Sequence, residues 1–244
     1  MHYAIISCVH ANLEAMQAVV EDATRRGVEQ IISIGDLVGF GPDPSACVDF
    51  ARQHCAISLK GCHDLAIVEG GDYLPPATRE GLIWAREELG AERLAWLAAL
   101  PQVHEAAGIA FCHASPREPV IEYLFAEDVR RDPRKLARAF DKTSKVVFVG
   151  HTHVPGIFLE NPIRWTGAIQ LDHYFHYRKG EKVIVNVGSV GQPRDGDPRA
   201  CYLEVNKNEM YWRRIDYDVR RVAAKIQANN RLTPSTAQRL MRGL

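Results

Sequence analysis

Five short apolar runs, each ending in or just before a residue able to bind a metal, constrain this chain more than anything else in it. They are YAIISC (3–8), QIISIG (30–35), CAISLK (55–60), GIAFCH (108–113) and KVVFVGH (145–151). Their length and β-forming content predict buried strands. After the first, Leu13, Met16, Val19, Val20 and Ala23 recur at helical spacing, and Gly27 closes that helix. Gly39, Gly41, Pro42 and Pro44 then set a loop, and 45–53 reads as a second helix. Strand alternating with helix predicts parallel crossover units of an α/β fold. Function in such sheets gathers at the carboxyl ends of the strands. Those ends deliver Cys8 with His10, then Asp36, then Cys62, His63 and Asp64, then His113, and last His151 with His153. A lone histidine at a strand end is ordinarily structural. A whole series is hard to explain by packing, because clustered charges and imidazoles are costly to bury unless paired or metal-bound.

The rest of the chain fixes the frame. Residues 76–100 read as a helix stopped by Pro101, and 131–140 as a helix with Pro133 near its start. From 155 to 215 the pattern is β, and two helices follow at about 218–228 and 235–242. Neither an internal repeat nor a linker interrupts it, so one domain over 1–244 is expected. Lys and Arg total 30 and Asp and Glu total 30, a balance that argues against an extended nucleic-acid surface. The apolar runs are short and interrupted, so no membrane span is expected. Six cysteines without a tight framework, and a start that runs directly into a strand, point to a reducing, cytoplasmic setting.

In order, the motifs are C-V-H (8–10), G-D (35–36), G-C-H-D (61–64), His113 in CHASP and G-H-T-H (150–153). This series resembles the calcineurin-like metallophosphoesterase family, whose pattern runs D-x-H, G-D, G-N-H-D/E, H and G-H-x-H. GFGPDP (39–44), HASP (113–116) and NVGSVGQPRDGDPRA (186–200) resemble a bacterial branch of phosphodiesterases and diadenosine-tetraphosphatase-like hydrolases. The resemblance implies a two-sheet α/β sandwich flanked by helices, in four layers α/β/β/α. It implies a dinuclear phosphoesterase acting on a small phosphodiester or nucleotide-type phosphoanhydride, by attack of a metal-bridging hydroxide. Asp36 would bridge the two metals with its two oxygens. Cys8, His10 and His153 would complete one site with it, and Cys62, His113 and His151 the other. His63 would protonate the leaving oxygen or stabilise its charge, with Asp64 orienting the ring. Arg194 is a candidate phosphate contact. Asn12 reads as an N-cap at an end that also favours an anion, and so as a second substrate-binding candidate.

Two positions depart from the family pattern. Cys8 stands where an aspartate is usual and Cys62 where an asparagine is usual. As ligands, thiolates favour Zn or Fe, with Mn a lesser fit. Cys62 also adds a negative charge, which implies slower turnover or a rate profile displaced to higher pH. As mere fillers, the same cysteines would leave a catalytically impaired scaffold that binds a partner. A third reading is redox control of the pair. Cys47 in a helix, Cys55 and Cys201 in strands, and Cys112 on the face opposite His113 read as core. His2, His54 and His104 carry no motif, and His173 and His176 read as a strand or hairpin edge. Arg117 and Tyr123 are weaker substrate candidates.

Overall fold

The computed structural model describes residues 2–71 and 74–244. Its first half follows the predicted alternation: β1 (His2–Ile6), α1 (Leu13–Arg25), β2 (Gln30–Ser33), α2 (Pro44–His54), β3 (Ile57–Ser58), α3 (Cys62–Glu69) and α4 (Pro76–Ala99). Then come β4 (Val103–Ala106), β5 (Ile109–Cys112), α5 (Asp128–Arg131), α6 (Pro133–Asp141) and β6 (Val146–Val149). The β-rich stretch holds β7 (Gly156–Leu159), β8 (Arg164–Gly167), β9 (Tyr174–His176), β10 (Val183–Asn186), β11 (Ala200–Asn206) and β12 (Glu209–Ile215). The chain closes with α7 (Val219–Ala228) and α8 (Pro234–Arg242).

The strands form two mixed six-stranded sheets, ordered β3-β2-β1-β11-β12-β9 and β4-β5-β6-β10-β7-β8. The five runs that lead to candidate metal ligands therefore divide three and two between sheets. Strand alternation explains the layering. In β1, Ile5 faces the inter-sheet core, while Ala4 and Ile6 face α1 and α2. In β6, Val146 and Phe148 face inward, while Val147 and Val149 meet Leu136 and Phe140 of α6. The result is the expected α/β/β/α order. Tyr3, Phe111 and Phe148 pack as an aromatic cluster in the inter-sheet core.

Several local expectations need correction. Cys55 caps the end of α2 instead of lying in a strand, and its run contributes only the two residues of β3. The helix expected over 131–140 is split at Asp132, the N-cap of α6, whose side chain accepts from Lys135 N–H. The long helix α4 is broken at Gly90, which takes a positive φ of 68°. No helix among the described residues is long and apolar enough to cross a membrane.

Candidate metal centre

The loops leaving β1, β2, β5 and β6, together with the first turn of α3, meet at one end of the sandwich. Their backbones are zipped together. Cys8 N–H donates to Gly35 O at 2.9 Å, His10 N–H to Asp36 O at 2.9 Å, and Gly150 N–H to His113 O at 2.8 Å. Cys8, His10, Asp36, His151 and His153 all sit at positive φ, between 49° and 65°. Such conformations cost of order 1–3 kcal/mol each for non-glycine residues and concentrate at functional sites. Two glycines permit the close approach. A Cβ on Gly61 would fall 2.2 Å from the Asp36 carboxylate, and one on Gly39 would fall 2.6 Å from the His63 ring.

Seven buried side chains form two donor sets sharing Asp36: Cys8, His10, Asp36 and His153, and Asp36, Cys62, His113 and His151. Within each set the donor atoms lie within 4.8 Å of one another. The imidazoles are aimed by main-chain carbonyls. His10 Nδ1 donates to Val38 O at 3.3 Å, His113 Nδ1 to Ile34 O at 3.1 Å, and His153 Nδ1 to Gln192 O at 2.6 Å. His151 is turned the other way, with Nε2 donating to Ile121 O at 3.2 Å. A carbonyl only accepts, so each outer nitrogen carries a proton, and the inner one presents a lone pair whenever the ring is neutral. The inner nitrogens of His10 and His153 are 3.1 Å apart, as are those of His113 and His151. Lone pairs converging in a buried space fit a cation.

Electrostatics agree. Burial pushes the pKa of His10 and His153 well down, and that of His151 to about 3, so these rings are neutral at physiological pH. Burial also lowers His113, but the Asp36 carboxylate 3.3 Å away outweighs it and the net shift is upward. Burial raises Asp36, but His113, His63 and His10 outweigh it and hold the carboxyl well below its usual range. Burial drives both Cys8 and Cys62 well above the ordinary thiol range, and Asp36 adds to the rise. Neither thiol ionises here without a cation. The donor set of imidazole, thiol and carboxylate suits divalent transition metals.

The picture of Asp36 holding one cation on each oxygen is corrected. Oδ1 accepts the His63 main-chain N–H at 2.8 Å. Oδ2 alone faces both sets, 3.6 Å from His10 Nε2, 3.3 Å from His113 Nε2 and 3.5 Å from Cys62 Sγ. The role expected of Asp64 changes too. Its carboxylate accepts main-chain N–H groups of Asp36, Leu37, Val38 and Gly61, and no hydrogen bond joins it to His63 among the described residues. Burial and the charge of Asp36 raise its pKa to about 6, against those N–H groups. His63 Nδ1 is buried with no hydrogen-bond partner among the described residues, and its ring packs against His10 and Phe40.

Of the remaining candidates, Arg194 lines the cavity above the donors with Tyr123, which stacks on His151 at 3.7 Å. Asn12 is committed to the protein: Oδ1 caps α1 at Ala15 N–H, and Nδ2 donates to Gly191 O and Tyr217 Oη. Arg117 pairs with Glu122. Cys112 packs under α6, Cys47 and Cys201 are core, and His2 pairs with Glu204. His176 lies on β9, the edge strand of its sheet. Sequence reasoning missed Asn186 and Ser189. Asn186 Nδ2 donates to Gly150 O and Thr152 Oγ1, and Ser189 Oγ donates to Cys8 O. Both lie in the 186–200 stretch, whose motif pointed to the region without pointing to them.

Two α/β/β/α sheets with a buried His/Asp/Cys cluster at one end define the metallophosphoesterase class. The family model for the calcineurin-like phosphoesterase superfamily domain matches residues 1–208, and the chain belongs to this family. It is a metal-dependent phosphoric ester hydrolase. An uncharacterized protein of Methanocaldococcus jannaschii is 34% identical over 251 aligned residues, covering 98% of this chain and 97% of that protein. The crystal structure of a metallophosphoesterase from Sphaerobacter thermophilus superposes with a TM-score of 0.84 at 33% identity, covering 100% and 99% of the two chains. A hypothetical protein from Pyrococcus horikoshii shares the fold at a TM-score of 0.74 and 18% identity, over 100% and 98%.

Proposed function

We propose that the protein is a dinuclear metal-dependent phosphoesterase that hydrolyses a phosphodiester or a nucleotide-type phosphoanhydride. The observation that carries this reading is the aim of the four imidazoles. Each gives its outer N–H to a main-chain carbonyl and turns its inner nitrogen toward Asp36 Oδ2 and a thiol. One metal would be held by Cys8, His10, Asp36 and His153, and the other by Asp36, Cys62, His113 and His151. The thiols favour Zn or Fe, and Mn is the lesser fit. Two such cations supply a clamp on the phosphoryl oxygens and activation of water at neutral pH.

The chain's own groups do the rest. Burial lowers the pKa of His63 despite the opposing charge of Asp36, so the ring is neutral near pH 7. It therefore serves as a hydrogen-bond donor to the leaving oxygen more than as a stored proton. Asp64 holds the Asp36–Val38 turn and the Gly61 turn in register, which sets the position of both Asp36 and His63. Arg194, at the cavity wall, neutralises the phosphate that enters.

Metal analysis of protein purified under reducing conditions, followed by hydrolysis of bis-p-nitrophenyl phosphate, tests the reading. About two equivalents of Zn or Fe with measurable turnover is the expected result. Protein that neither retains nor takes up metal, and is inert, would instead be a scaffold built on this fold. His63→Ala is expected to lower kcat by about 10²–10⁴-fold while metal content is unchanged. An unaltered kcat would remove His63 from the reaction.

A further inference from the structure

The cavity over the donor sets, about 230 Å³, does not end at the metal centre. It adjoins a second cavity of about 260 Å³, and the two share Phe40, Pro75, Thr78 and Arg239 along their boundary. Arg239 comes from α8, an element far along the chain from every motif. Its guanidinium carbon lies 5.9 Å from the centre of the Phe40 ring, and that of Arg194 lies 5.8 Å from the same ring. Both distances fall within the range of cation–π attraction, so Phe40 holds two cations at the junction.

Neither cation is paired with an Asp or Glu side chain among the described residues. The carboxylates on the Arg194 loop are engaged elsewhere, Asp195 with Arg214 and Asp197 with Arg199. Arg194 Nε is buried without a hydrogen-bond partner among the described residues. Arg239 Nε donates to the main-chain oxygen of Leu244 at 3.2 Å, and neither arginine has an ion-pair partner with an Asp or Glu side chain among the described residues. The far cavity is walled by Thr233, Ser235 and Thr236 at the start of α8, and Thr233 makes no side-chain capping bond there among the described residues. Hydroxyls and an uncapped helix start add to the preference for an anion.

We propose that Arg194 and Arg239 form a distal phosphate clamp across Phe40, so that this site takes substrates with a second phosphate joined to the one attacked. The inference rests on the phosphoesterase reading above and selects its phosphoanhydride arm. A simple diester brings one negative charge, which the metal centre already engages. Two guanidinium forks without an Asp or Glu partner among the described residues face this exit, and their planar donors match phosphate oxygens. In the reaction, the oxygen of water bonds to the attacked phosphorus and the bridging P–O bond breaks. The electron pair leaves on the distal phosphate, and the proton lost by water passes to solvent. The clamp stabilises the charge arriving on that leaving phosphate.

Calorimetry on the metal-loaded protein with AMP and with non-hydrolysable α,β-methylene-ADP separates the alternatives, since the ligands differ by one phosphate group. The expected result is at least about tenfold tighter binding of the diphosphate analogue, from charge-assisted hydrogen bonds worth more than 1.4 kcal/mol. Arg239→Gln should erase most of that preference, and Arg239→Lys, which keeps the charge but loses the fork, should retain part of it. Thermal melts of both variants check folding. Equal affinity for the two ligands in the native protein, or a preference that survives Arg239→Gln, overturns the clamp. Failure to turn over bis-p-nitrophenyl phosphate would instead strike at the phosphoesterase reading, and leaves the binding comparison able to judge the clamp by itself.

Discussion

At the scale of single residues, the two cysteines carry most of what is particular to this protein. Both thiols are buried against a carboxylate, and burial together with Asp36 pushes their pKa far above neutrality. A protonated thiol does not ligate, so metal must displace its proton. Loading the metal-free protein in weak buffer near pH 7 should therefore release about two protons per chain from the thiols. The sign follows directly: binding weakens as pH falls, because protons compete for the same sulfurs. Metal uptake with no proton release, read by indicator dye, would show that the thiols stay out of coordination. Cys62 also allows a cleaner exchange. Cys62→Asn restores the usual amide and removes one negative charge from the centre. The rate profile for bis-p-nitrophenyl phosphate should move to lower pH, and Mn should support a larger share of the activity than in the native protein. A profile that does not move would mean that Cys62 does not set the charge of the site.

At the scale of elements, what was legible in the sequence depended on whether an element carries a repeating pattern. Apolar runs such as KVVFVGH declare a strand by themselves, and α1 declares its helix through a one-sided apolar stripe. In α3, by contrast, Cys62, His63, Asp64, Ala66 and Ile67 are all buried. A short helix buried on most sides shows no periodic face, so G-C-H-D was legible as chemistry and not as a helix start. The same limit hid Asn186. An asparagine at the end of β10 looks like any turn residue, and its value comes from reaching across to Gly150 O, 36 positions away. Arg239 was hidden for that reason too, since only the packing of α8 brings it to the site. Asn186 nonetheless anchors the loop that carries His151 and His153. Asn186→Ala leaves the Gly150 carbonyl without its side-chain donor and the Gly188 N–H without its acceptor, both in buried surroundings. A loss of about 1–3 kcal/mol in stability is expected. Metal affinity should fall by about 10–100-fold, as for other groups that position ligands. Denaturant melts and metal titration measure the two effects, and intact affinity would show that the loop holds its own shape.

At the scale of the whole molecule, the division of donors between sheets has a mechanical consequence. Cys8, His10 and Asp36 follow strands of one sheet, whereas His153 follows β6 of the other. Asp36 and Cys62 likewise belong with the first sheet, and His113 and His151 with the second. Each donor set therefore draws on both halves of the sandwich, and a cation in either would tie the sheets together at the end where their loops interlock. A ligand that binds only the folded state stabilises it by about 4 kcal/mol when present at a thousand times its dissociation constant. For a chain of this length, each kcal/mol moves Tm by about 2–4 °C. Removing metal with a chelator should thus lower Tm by roughly 8–16 °C, and adding it back should restore the loss. Asp36→Asn should melt near the chelated native protein and respond less to added metal, because both sets lose their shared anion. That pairing separates a structural from a purely catalytic role. If chelation strips the metal and abolishes activity while Tm stays put, the interlocked loops alone hold the sheets, and the centre serves chemistry without joining the two halves of the fold.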